Sequence, residues 1–163
     1  MSALKKLGLT SIFVALAFVT ACSFLGVKKE NTGGASAGQK SGDGSTPAKA
    51  IVIVPETTLK SRANLSITTA DNVRWFYMKL QSGKKYYFET FGNGDPDAYV
   101  YHKSQVKGDG TISGDAVAMN QDDGRQGNNA RIIFSPSRTG EYYLKILLFA
   151  GRAWSGKLDY RIQ

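Results

Sequence analysis

Four aspartates stand where loop meets strand: Asp95 and Asp97 at the head of an alternating run, and Asp122 with Asp123 in a loop closed by Gly124. Carboxylates so placed are hard oxygen ligands of the kind calcium takes, and since calcium needs about six to eight oxygens, backbone carbonyls and waters would complete the set. Their spacing is not that of an EF-hand loop. Asp and Asn also favour turns and cap backbone groups with no ion present, so turn chemistry is the competing reading. A second set is aromatic. Alternation over 97–103 puts Tyr99 and Tyr101 on one face and Ala98, Val100 and His102 on the other. Together with Tyr143 and Trp154 these tyrosines form a candidate platform for stacking a sugar or a peptide. Trp154, in the glycine-bounded turn 151–156, is the ring expected to be exposed. Against this stands the need of a domain this size for aromatic core.

Catalytic chemistry finds little support. His102 is the only imidazole, and it lies within a strand. Glu89 or Glu141 could pair with an aspartate for glycoside hydrolysis, but nothing in the sequence sets their separation. No phosphate-cradling Gly-x-x-x-x-Gly-Lys-Ser/Thr loop occurs. One cysteine excludes an intramolecular disulfide and a multi-thiolate zinc site, and one histidine excludes a metal centre built on several imidazoles.

That cysteine, Cys22, closes an export address. Lys5 and Lys6 precede a run of 13 almost wholly apolar residues, 7–19, too short to span a bilayer comfortably. The run ends Val19-Thr20-Ala21-Cys22, which resembles the bacterial lipobox, with Val19 and Thr20 departing from its commonest residues. The resemblance implies cleavage after residue 21, a thioether lipid on Cys22 and an acylated (palmitate-type) amino terminus. Two or more chains give stable membrane anchoring, since each buried methylene contributes about 0.8 kcal/mol. In Gram-negative sorting, Ser23 in place of aspartate implies the outer membrane. Residues 22–49 are rich in Gly, Ser and Ala and are expected to form a flexible tether, about 30 Å in average reach.

The 163 residues carry 21 Lys and Arg against 13 Asp and Glu, a formal +8. Removing residues 1–21 takes away two lysines and no acid, and the excess left beyond residue 50 is only four charges, dispersed along the chain. A nucleic-acid partner is therefore not expected despite the basic balance. From residue 50 onward, short alternating or apolar runs are separated by turn residues. Strands are predicted at 51–54, 64–68, 73–80, 85–91, 97–103, 115–120, 130–134, 141–149 and 157–162. Eight or nine strands in one domain, 50–163, predict an all-β fold, a sandwich or small barrel.

The run Asn72-Val73-Arg74-Trp75-Phe76-Tyr77-Met78-Lys79-Leu80, followed by Ser82-Gly83-Lys84-Lys85-Tyr86-Tyr87-Phe88, resembles the opening of the bacterial pre-peptidase C-terminal domain family. Asp95-Pro96-Asp97-Ala98-Tyr99-Val100-Tyr101 is similar to that family's acidic strand, with Ala98 replacing the usual leucine. Asn120-Gln121-Asp122-Asp123-Gly124 is similar to its acidic loop, and Arg138-Thr139-Gly140-Glu141-Tyr142-Tyr143-Leu144-Lys145-Ile146 to its closing hairpin. The order holds over about residues 60–163. The resemblance implies a jelly-roll-like antiparallel β-sandwich, with calcium held at comparable loops in some members. Such domains are typically appended to secreted hydrolases, whereas here the domain is expected to stand without one. The expectation is a lipid-anchored, non-catalytic envelope module that binds a protein or polysaccharide partner; the alternative is an assembly factor docking by a strand edge.

Overall fold

A computed structural model describes residues 41–125 and 127–163. The signal, the lipidation site and most of the tether lie outside the described residues. Among the described residues nine strands follow one another as β1 (Ile51–Val52), β2 (Lys60–Ile67), β3 (Val73–Leu80), β4 (Tyr86–Asn93), β5 (Pro96–His102), β6 (Ala118–Asn120), β7 (Arg131–Phe134), β8 (Gly140–Leu148) and β9 (Trp154–Ile162). Proline at the head of β5 is tolerated because a first residue has no ladder bond to lose in the interior. The strands form two sheets, ordered β1-β3-β8-β5-β6 and β2-β9-β4-β7. All pairings are antiparallel except the short β1–β3 pair. From β2 onward successive strands fall in opposite sheets for most of the chain, which is the winding of a jelly roll, with β1 added at one edge.

Period-two alternation explains what each strand buries. Phe76, Met78 and Leu80 of β3, Ala98 and Val100 of β5, and Tyr142, Leu144, Ile146 and Leu148 of β8 face inward from the five-stranded sheet. Leu65 and Ile67, Tyr86 and Phe88, Ile132 and Phe134, and Trp154 and Leu158 meet them from the other sheet. The outer face of the five-stranded sheet is also buried. Trp75, Tyr77, Tyr101 and Tyr143 form a second cluster with Ala50, covered by Val106, Ile112 and Ala116. That is why residues 75–78 are buried without a break, although they alternate between two faces.

Part of the cover comes from chain expected to be tether. Pro47–Lys49 forms one turn of 3-10 helix with Pro47 buried, and the Trp75 N–H donates to the Gly44 carbonyl at 2.8 Å. Gly42 N–H and Gly44 N–H bond to the Ala50 and Lys49 carbonyls. Residues 41–49 are thus folded onto the sheet, and the domain starts before residue 50. Composition misread them because small polar residues suit a tight cover as well as a linker. The strand expected at 115–120 shortens to Ala118–Asn120, residues 103–117 being used as the other half of the cover.

Gly92 of β4 lies opposite Gly156 of β9. A Cβ at Gly156 would sit 1.8 Å from the Phe91 carbonyl oxygen, so the two strands approach closer than any side chain permits. Gly156→Ala is therefore expected to cost more than about 4 kcal/mol in urea unfolding. Gly83→Ala, in a turn at φ +77° with no atom near a new Cβ, is expected to cost only about 1–2 kcal/mol.

Candidate functional site

The acidic and aromatic sets meet on the outer face of the five-stranded sheet. Register places Tyr99 of β5 beside Lys145 of β8, and Lys145 beside Trp75 of β3. One row along, Tyr101, Tyr143 and Tyr77 align in the same way. Tyr143 meets Trp75 edge-on at 6.0 Å between ring centroids and Tyr77 at 5.7 Å, while Tyr99 stacks on Tyr101 at 6.5 Å. Burial holds the hydroxyls of Tyr99 and Tyr101 above the ordinary tyrosine range. The Tyr99 hydroxyl donates to Asp97 Oδ2 at 3.2 Å and accepts from Gln121 Nε2 at 3.3 Å.

The rings expected to form a platform are mostly inside. Tyr101 and Tyr143 are buried beneath the loop 103–117, and Tyr99 is half-buried. Trp154 is 1% exposed; it does not project from a turn but opens β9, facing the core. Its indole N–H donates to Asn129 Oδ1 at 3.3 Å, and Asn129 Nδ2 donates to the Gly92 carbonyl at 3.2 Å. Gly156, two residues after Trp154, allows close strand contact there, not an exposed tip.

The acidic quartet separates by role. Asp95 and Asp97 are buried, and Asn128 Nδ2 donates to Asp95 Oδ2 at 3.4 Å while Asp95 Oδ1 has no hydrogen-bond partner among the described residues. Asp123 is engaged locally: Asn120 Nδ2 donates to its carboxylate at 2.8 Å, and its own N–H donates to Asn120 Oδ1 at 3.0 Å. This is a side-chain-closed turn. Among the described residues no three His, Cys, Asp or Glu side chains are grouped to hold a metal ion. The Asp95 oxygen would suit a cation, but the donor set described around it falls short of a shared carboxylate group.

Outside the expected set, Glu89 and Asp159 stand directly opposite each other on β4 and β9 and are both buried on the outer face of the four-stranded sheet. Like charges directly opposite destabilise a sheet, and cations answer them here. Arg125 donates to Glu89 through its backbone N–H at 2.6 Å and through Nε at 3.0 Å, and Lys157 Nζ reaches Asp159 at 2.8 Å. The Ser61 hydroxyl also donates to Asp159. Arg161, Arg125 and Lys157 lie over Tyr87 and Phe91, so cations and rings interleave across the face. A Tyr-Phe-Glu-Thr-Phe strand carrying one acid on its aromatic face was the available signal, but Arg125 comes from a distant loop. Both carboxylates are committed to ion pairs.

His102 closes β5. Its Nδ1 accepts the Ser104 N–H at 3.2 Å and its ring meets Tyr142 edge-on. Burial and Arg138 hold its proton affinity below the usual imidazole value, with Glu141 opposing. A cleft of about 500 Å³ lined by Pro55, Leu80, Tyr86 and Ile162 opens at Glu141, whose carboxylate already accepts from Tyr77 and pairs with Lys103.

Asp97 carries the pH dependence of this region. Burial raises its pKa, the charges of Asp95 and Asp122 push the same way, and the Tyr99 and Gln121 hydrogen bonds oppose them. A raised folded-state pKa means that the native fold favours the protonated acid. Its contribution to stability is full below the unfolded value of about 3.9 and is lost as pH rises through the folded value. Asp97→Asn is therefore expected to raise the melting temperature at pH 7 in calcium-free buffer, with the gain vanishing near pH 3. An equal gain at both pH values would contradict this assignment.

No family model matches the chain, and no curated protein matches it. Among solved structures the chain is similar to the pre-peptidase C-terminal domain of a collagenase from Bacillus anthracis, at 16% identity, over 70% of this chain and 94% of that one, with a TM-score of 0.48. It is also similar to PliG from Aeromonas hydrophila, a periplasmic inhibitor of g-type lysozyme, at 13% identity, over 70% of this chain and 96% of that one, with a TM-score of 0.52. The likeness to PliG shows a shared fold.

Proposed function

We propose that this protein is an exported, non-catalytic binding module that recognises a protein partner through the edge formed by β6 and β7. The observation that supports this is the distribution of exposed apolar side chains. Val117, Met119 and Ile133 are 45%, 58% and 54% exposed and lie on or beside two edge strands of different sheets. The two strands adjoin, since the Arg131 N–H donates to Asn120 Oδ1 at 3.0 Å. An edge offers unpaired backbone groups for strand addition, and apolar side chains beside it add affinity. A polysaccharide platform is the weaker reading, because its rings are buried. The lysozyme inhibitor with this fold makes g-type lysozyme the first partner to try.

The same proposal includes the address: lipid anchoring through Cys22, with the outer membrane as destination. Three experiments bear on the proposal. Metabolic labelling with palmitate is expected to mark the wild-type chain and not Cys22→Ala; equal labelling of both would remove the anchor. Photo-crosslinkers at positions 119 and 133 are expected to yield one protein adduct in intact cells, the adduct at 133 being lost in Met119→Asp, while sites on the covered face yield none. Absence of any adduct at 119 and 133 would sink the edge reading. Inhibition of a g-type lysozyme that disappears in Met119→Asp would identify the partner.

A further inference from the structure

Lys145 is a cation placed where nothing in the described fold answers its charge. It is half-buried at the middle of β8, the central strand of the five-stranded sheet, between Trp75 and Tyr99 on the outer face. Its ammonium lies 5.3 Å from the Trp75 ring centroid. Among the described residues, ion pairs engage Lys60, Arg74, Lys103, Arg125 and Lys157, but no carboxylate lies within bridging distance of Lys145 and no acceptor takes a hydrogen bond from it. A ring face offsets only part of the lost hydration, about 0.5–2 kcal/mol, and burial alone drives the lysine pKa down.

Beside it the cover leaves a gap. Lys145 and Trp75 line a cavity of about 250 Å³ with Asn72, Ser45, Thr46 and Asp109. The lining sets an amide, two hydroxyls, one indole, one cation and the Asp109 carboxylate among the apolar Pro47, Val73 and Leu147, a mixture that holds a small polar ligand by a few placed groups. The volume is below the roughly 300–1,000 Å³ of sites for drug-sized molecules. Asp109 turns its carboxylate to the Thr111 N–H at 2.8 Å and remains ionised, so the far rim disfavours a second negative charge.

We propose that this cavity binds a small monoanion bearing one carboxylate and neutral hydroxyls, of the size of a sugar acid. Lys145 supplies the counter-charge, Trp75 the wall, and Ser45, Thr46 and Asn72 the flanking hydrogen bonds. The site is separate from the β6–β7 edge and stands or falls independently of the partner reading.

The chain has two tryptophans, and only Trp75 lines the cavity, so the two indole N–H signals of the ¹⁵N-labelled full chain form a built-in probe and control. Titration with glucuronate is expected to move the Trp75 signal saturably and leave Trp154 in place, with glucose producing no shift. Lys145→Met, which keeps the stem and removes the charge, is expected to weaken binding by about tenfold or more, while Lys145→Arg retains it. Thr46→Val, at the rim, gives a second reading that leaves the sheet untouched and is expected to weaken binding several-fold. No saturable movement with glucuronate in the wild type overturns the proposal. So does an equal response to glucose, undiminished binding by a Lys145→Met variant whose Trp154 signal reports a native fold, or saturation by inorganic phosphate without saturation by glucuronate.

Discussion

Trp75, Tyr77, Tyr101 and Tyr143 place aromatic surface on the side of the five-stranded sheet that faces away from the sandwich core, and the need to cover it governs much of the remaining chain. Antiparallel sheets commonly leave one face to water; here the outer positions of β3, β5 and β8 are rings. Each such ring has about 150–250 Å² to bury, worth a few kcal/mol at about 25 cal/mol per Å². Two segments with no long strand of their own do the covering. One is 41–50, tied to β3 through Gly44. The other is 103–117, held in shape by Gln105, whose backbone carbonyl accepts the Ser113 N–H at 2.8 Å and whose side chain donates to the Asp115 carbonyl at 2.8 Å. They meet over Trp75, where a Cβ at Gly110 would lie 3.8 Å from Pro47. β8 is consequently shielded on both faces, and Lys145, at the middle of its outward row, is enclosed with the rings.

The four-stranded sheet treats its outer face differently. Glu89 is 1% exposed, and an acid so deeply buried needs a partner whose loss would leave an uncompensated charge. The partner arrives from the loop between β6 and β7, so Arg125 fixes that loop to β4 while Asn129 fixes its other end to Trp154 and Gly92. The loop carrying Asp122 and Asp123 is thus held by contacts distant in sequence at Arg125 and Asn129, and its closed Asn120–Asp123 turn precedes them.

How much of this was readable from the residues depends on the range of the interaction concerned. The bounds of β3 are those that alternation and the Gln81–Lys84 turn predict, and the assignment of Ala98 and Val100 to one face against Tyr99 and Tyr101 holds, because both are properties of neighbouring residues. The four-element resemblance likewise anticipated the jelly-roll winding. Trp154 was misplaced since Gly151 and Gly156 both signal a turn, whereas Gly156 serves tight contact with β4, visible only once Gly92 is known to lie opposite. Residues 41–49 read as a linker because nothing in their own composition reveals that rings about 30 residues on need a lid. Lys145 was visible as the alternate neighbour of Tyr143, but its isolation from carboxylates is a three-dimensional fact.

These two solutions leave few places for recognition. The outer face of one sheet is consumed by its cover, and that of the other is occupied by interleaved cations and rings whose charges already have partners at Glu89 and Asp159. What remains open is the rim. β6 has only three residues and β7 four, too short for many ladder bonds, so a partner docking there must gain its affinity from side chains as much as from backbone pairing. Met119 and Ile133 supply such side chains, and short edge strands also limit unwanted self-association. The gap beneath the cover is the complementary case, a space that exists because two irregular segments close over rings less tightly than a second sheet would. Binding at the rim requires no movement of the cover, and binding in the gap requires none of the rim.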